Sequence, residues 1–168
     1  MLRRPFTLVA VAAALAGVAA GCGDDDKDSP GTQATVSRAE AREYQRQVQA
    51  VLIAVGAAGS GLQTSVERGA SLNRVATALD RFQGSVEQAA QRLDRLEPPA
   101  AAKEAQDEMV TVLRDLAGDV QPSIDAARKG DRAEFLRVFR AYQRKLDGEY
   151  RQRLRGAGEK IDRALSGR

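Results

Sequence analysis

Chemistry on a protein needs side chains that attack, move protons or hold metals, and this chain of 168 residues is poor in them, with one cysteine, Cys22, and no histidine. Without histidine or a second thiol, the usual zinc sites, Ser-His-acid triads and Cys-His pairs cannot be assembled within one chain. A carboxylate di-iron bundle asks for Glu-x-x-His on two helices and is excluded for the same reason. Acidic pairs do occur, Asp107 with Glu108 and Asp147 with Glu149. Residues one or two apart do not share a helix face, so these pairs read as solvated charge. Asp24, Asp25, Asp26 and Asp28 could catch calcium weakly, but the oxygens that complete a shell are not specified, and a solvated acidic linker fits better. Gly56-Ala57-Ala58-Gly59-Ser60-Gly61 follows a helical pattern rather than a strand and lacks the lysine step of a phosphate loop. No catalytic residue, metal or cofactor is expected, and the chain is not expected to be an enzyme.

Cys22 has a different chemistry in view. It closes an uncharged run that opens behind Arg3 and Arg4 and ends in Leu15-Ala16-Gly17-Val18-Ala19-Ala20-Gly21. A basic head, an apolar core and small residues form an export signal. The uncharged stretch from Pro5 to Ala20 is shorter than the roughly 20 residues that span a bilayer. An uncleaved anchor is therefore the alternative. With Ala19-Ala20-Gly21-Cys22 in the place of a lipobox, the segment resembles a bacterial lipoprotein signal. That resemblance implies cleavage between Gly21 and Cys22, with lipid on the Cys22 sulfur and its new amine. It also implies a cell-membrane location on the extracytoplasmic face, held by membrane lipid. Two or more acyl chains anchor stably where one does not, since each buried methylene contributes about 0.8 kcal/mol. One cysteine cannot form a disulfide within the chain, so packing alone must hold the exported domain.

Removing residues 1–21 takes away Arg3 and Arg4 and lowers the formal net charge from +3 to +1. Nucleic-acid binding needs a concentrated basic footprint with motif support, and neither is present. The charge is nevertheless uneven: Arg132 to Arg168 carries 11 basic and 5 acidic residues, whereas Cys22 to Asp131 carries 13 basic and 18 acidic ones. Either the last helix lies against acidic neighbours in the same molecule, or a basic face turns toward anionic lipid or an acidic partner.

Residues 22–36 hold Gly, Asp, Ser, Thr and Pro with little to bury, and read as the lipidated cysteine and a flexible acidic tether. The remainder, 37–168, carries helical periodicity throughout and no sustained strand period. A first helix over 37–68 opens on the capping box Ser37-Arg38-Ala39-Glu40 and buries Tyr44, Val48, Val51, Val55 and Leu62. Gly56, Gly59 and Gly61 leave a break at 56–61 as an alternative. A second helix over 71–96 carries Leu72, Val75, Leu79, Phe82, Val86, Ala89, Leu93 and Leu96 at steps of three and four, and ends at Pro98-Pro99. A third over 99–128 begins with Pro99 in its first turn and bends or splits at Pro122. Lys129-Gly130 closes it, and Asp131-Arg132-Ala133-Glu134 caps the fourth, 131–155 or longer, which Gly156 and Gly158 should fray.

Matched helices with short connections give an all-α, antiparallel, up-down-up-down four-helix bundle. Counting equal distances from the two turns at one end puts Gly59, Phe82, Ala117 with its neighbours Leu116 and Gly118, and Tyr142 at one height, in a layer that takes in Gly56 and Phe139 as well. Small residues there either make room for large rings or leave an apolar pocket between the helices. The mature domain also resembles the small, alanine-rich, all-helical actinobacterial lipoproteins of unknown function. They share the lipobox, the polar tether, a step like Leu96-Glu97-Pro98-Pro99 and a step like Gly130-Asp131. The expected role is an envelope interaction or scaffold module with a partner protein. The alternative is a carrier or sensor for a small apolar ligand.

Overall fold

A computed structural model describes residues 37–67 and 70–166. The signal, Cys22 and the tether expected over 1–36 lie outside the described residues. All regular structure within the described residues is helical: α1 (Arg38–Glu67), α2 (Leu72–Asp94), a 3-10 turn (Ala100–Ala102), α3 (Lys103–Asp119), α4 (Gln121–Arg128), α5 (Arg132–Lys145), a π-helical turn (Leu146–Tyr150) and α6 (Arg151–Ser166). Grouped as α1, α2, α3–α4 and α5–α6, these are the four rods of an antiparallel up-down-up-down bundle.

Each rod starts and stops where its local chemistry requires. Ser37 and Glu40 satisfy each other's amides reciprocally, at 3.0 and 3.2 Å. Ser71 caps α2 through its carbonyl, which accepts from Val75 N at 3.0 Å, and its hydroxyl makes no capping bond. At the end of α4, Gly130 adopts φ +72°, and the amides of Asp131 and Gly130 return to the carbonyls of Ala126 and Ala127 at 3.2 and 3.1 Å. This double closure needs a left-handed residue, which glycine supplies without strain. Asp131 then accepts from Glu134 N at 2.9 Å. Glu134 does not return the bond, because its carboxylate is forked by Arg137 at 2.6 and 2.7 Å.

Four expectations about helix continuity are settled. α1 runs unbroken through Gly56, Gly59 and Gly61, with Tyr44, Val48, Val51 and Leu62 buried along it. The third rod begins its α-helix at Lys103 rather than at Pro99, whose carbonyl instead accepts from Ala102 N at 2.8 Å in the 3-10 turn. At Pro122 the rod splits rather than bends, with Val120 as the joint. Its carbonyl accepts from both Ser123 N and Ile124 N. The expected fraying at Gly156 and Gly158 does not occur: α6 continues to Ser166, with Ala157 and Ile161 buried.

The core is continuous. Leu79, Val86, Leu93, Val112, Leu113, Val120 and Ile124 have no measurable exposure. α1 packs chiefly on α2, and α3 packs on both α2 and α6. The first and fourth rods are joined by Gln45 Nε2 donating to Asp162 Oδ1 at 3.0 Å. A buried link crosses the same end: Tyr44 OH donates to Gln106 Oε1 at 2.8 Å, and Gln106 Nε2 donates to the Leu96 carbonyl at 3.0 Å. Three rods are tied there through one amide.

The π turn sets the phase of the fourth rod. Phe135, Phe139 and Tyr142 face the core on α5, and Tyr150, Ala157 and Ile161 face it after the turn. A straight helix repeating every seven residues from Tyr142 and Leu146 would turn Glu149, Arg153, Gly156 and Lys160 inward. The extra residue of the π turn advances the seam by one and keeps those charges out. Deleting Gly148 should therefore restore an ordinary helix with Tyr150, Ala157 and Ile161 still on the seam. The expected result is unchanged helical content and an unaltered or higher urea midpoint. A stability loss of more than about 2 kcal/mol, the usual size of core disruption, would count against this account.

Candidate functional site

The residues expected to share a layer divide into two groups. Phe82, Leu116, Phe139 and Tyr142 are buried, with exposures of 9% or less. Phe139 stacks between Phe135 and Tyr142, at centroid distances of 5.3 and 6.4 Å. Gly59 does meet Phe82: a methyl built on Gly59 would lie 3.9 Å from the ring carbon Cε2. That is ordinary van der Waals contact, so the glycine leaves more room than the ring uses. Gly56 and Gly118 are corrections. Both lie on exposed faces with nothing within 4 Å of a methyl placed there, and neither lines the layer. Equal height on neighbouring rods does not fix which side of each rod a residue takes. Gly21 and Cys22, expected as cleavage and lipidation residues, lie outside the described residues.

Beside the layer sits a polar cluster that the sequence reading did not assemble. Asp119, at the end of α3, accepts through Oδ2 from Lys145 Nζ at 2.6 Å and from Tyr150 OH at 2.5 Å. The Lys145 bond first and the Tyr150 bond second hold the Asp119 carboxyl below its ordinary range. Burial, followed by the bond to Asp119, pushes the Tyr150 phenol up. Burial likewise drives the Tyr142 phenol upward, and its hydroxyl makes no hydrogen bond with any described residue. The Ser123 hydroxyl on α4 is likewise buried and unbonded. A recognisable signal existed. Tyr142, Leu146, Tyr150 and Leu154 follow one another in three successive steps of four, a drift that a straight α-helix cannot keep on one face.

Further along the same two rods, α3 presents acids to the basic side of α6. Arg153 Nε reaches Glu108 at 2.8 Å, its NH1 reaches Asp115 at 3.0 Å, and Glu149 stands 3.7 Å away. Lys160 lies 3.6 Å from Glu104. Glu104, Glu108, Thr111, Arg153 and Lys160 wall a solvent-open groove between the two helices. The acidic pairs flagged in the sequence are distributed among cations: Asp107 to Lys103, Glu108 to Arg153, and Asp147 to Arg151. None forms a proton-sharing dyad. Among the described residues no three ligating side chains converge as a metal site would need, and no helix is long and apolar enough to cross a membrane.

No protein-family model matches the chain, and neither a curated protein nor a solved structure is significantly similar to it. The reading of its role rests on its own residues.

Two outcomes follow from this geometry. Gly59→Ala should stabilise the bundle by about 1 kcal/mol, because alanine favours the helix and its methyl gains contact with Phe82. A urea titration measures this, and a lower midpoint would mean that the Phe82 ring has no slack. The three tyrosines should also titrate together. Tyr44 is pushed up to about 12, by burial first and by Asp107 second, and Tyr142 and Tyr150 are raised further in the same direction. A phenol raised in the folded state contributes stability below its unfolded value near 10, and that stability is lost as pH rises through the folded value. Tyrosinate absorbance should thus stay low to about pH 11 and then appear with loss of helicity. Early, independent ionisation of one tyrosine would contradict its burial.

Proposed function

We propose that this chain is a lipid-anchored, extracytoplasmic helical protein that acts as an envelope interaction or scaffold module, held to the cell membrane by acylated Cys22 and meeting a partner protein through its outer surface. The observation that carries the second half is the closed interior. Leu116 is 1% exposed and Phe82 5%, and the charged groups between α3 and α6 are engaged with one another. Recognition then falls to the outer helix faces, and no residue is assigned a catalytic role. The first half is supported by the basic head, apolar run and small residues before Cys22.

A second reading, a carrier or sensor for a small apolar ligand, is favoured by Tyr142, whose buried hydroxyl is a free polar handle within an apolar layer. The two readings separate under native mass spectrometry after gentle extraction. A crosslinked envelope protein supports the module, and a retained small mass lost in Phe82→Ala supports the carrier.

The anchor is tested by growth with a labelled fatty acid. Wild type should take up the label and stay with membranes, and Cys22→Ala should do neither. An unlabelled wild type would remove the lipid anchor from the proposal.

A further inference from the structure

The surplus of positive charge near the C-terminus is sorted by the fold into two populations. Lys145, Arg153 and Lys160 turn toward α3 and are matched there by Asp119, by Glu108 with Asp115, and by Glu104. Arg137 and Arg151 are matched locally by Glu134 and Asp147. Arg132, Arg140 and Arg144 on α5, like Arg155 and Arg163 on α6, are exposed and make no ion pair among the described residues. With Leu136, the three α5 arginines stand at steps of four, a ridge that winds through about 120° around the exposed side of α5, beside the buried Phe135, Phe139 and Tyr142. The ridge is about 18 Å long at 1.5 Å per residue. The only carboxylate between its ends, Glu134, is already held by Arg137.

We infer that this ridge is a docking face for an anionic lipid bilayer. Charge complementarity calls for a surface dense in negative charge, and Leu136 narrows the choice. It is one of two large exposed apolar residues among those described, 38% exposed, and it sits between Arg132 and Arg140. An apolar side chain flanked by arginines suits the boundary between headgroups and acyl chains, where the guanidinium groups stay with phosphate while the leucine enters. A polypeptide that bound by negative charge alone would engage the arginines and leave the leucine in water. The exposed arginines of α2 differ, since Arg74, Arg81 and Arg92 alternate with Asp80, Glu87 and Asp94. Docking along α5 would lay the bundle on the membrane rather than leave it upright at the end of a tether. This inference deepens the membrane-anchored reading and rests on it for its setting.

Flotation with vesicles of equimolar phosphatidylglycerol and phosphatidylcholine, against phosphatidylcholine alone, tests it on the full chain. The Cys22→Ala background removes any acyl contribution, and Arg3 and Arg4 are common to every variant. The anionic-over-neutral binding ratio should fall roughly fivefold per ridge arginine, hence by about a hundredfold in Arg132→Gln/Arg140→Gln/Arg144→Gln. Leu136→Ala should weaken binding to the anionic vesicles, and Arg74→Gln/Arg81→Gln should leave the ratio nearly unchanged, with circular dichroism confirming that each variant folds. Equal losses from ridge and α2 variants, no anionic preference at all, or capture by polyglutamate without vesicle binding would each overturn the inference. None of these outcomes depends on whether Cys22 is acylated, so a failed ridge and a failed anchor are distinguishable.

Discussion

The fourth rod must place Phe135, Phe139 and Tyr142 against the core and, two turns later, Tyr150, Ala157 and Ile161 as well. A straight helix cannot meet both demands. The π turn at Leu146–Tyr150 reconciles them by absorbing one residue. Much of the remaining geometry depends on that adjustment. It brings the Tyr150 hydroxyl to Asp119 and leaves Arg153 and Lys160 facing the acids of α3 instead of the apolar interior. Unpaired burial of either cation would cost several kcal/mol.

The interior works with few polar devices, each placed where rods meet. Gln106 gathers Tyr44 and the Leu96 carbonyl at one end. Gln83 Nε2 reaches the Ala117 carbonyl at 3.0 Å and Gln121 Oε1 at 3.2 Å, bracing the joint at Val120 where the third rod changes course. These bonds are modest singly, but an orphaned partner in the core would lose about 1–3 kcal/mol. Such links fix register more than they add stability. By contrast, the surface pairs Arg114 with Asp94 and Arg128 with Asp80 are exposed and contribute little.

Helix type and most boundaries could be read from the chain because they are set locally. Steps of three and four from Val75 to Leu93 declare an amphipathic helix, and Ser37 with Glu40 declares its start. What escaped reading was set by context. The glycines of α1 look like a break until the buried stripe beside them is seen docked on α2. Pro122 could bend or split a helix, and the choice depends on where Val120 and Ile124 find a core. The aromatic layer was legible by height along the rods but not by azimuth, which is why Phe82 and Gly59 meet while Gly56 and Gly118 face outward. The Asp119 cluster joins residues far apart in the chain, and only the drift in the Tyr142–Leu154 spacing hinted at it.

α1 is the rod with the most one-sided support. It leans on α2 along its length, while Tyr44 and Gln45, near its beginning, bond across to the third and fourth rods. A mechanical load entering the domain at Ser37 would therefore meet those two side chains first. Beyond them α1 is held by packing, where Val48, Val51 and Leu62 enter the common core. The point where the chain enters the domain is thus fastened by two polar bonds, and the rest of α1 by apolar contact.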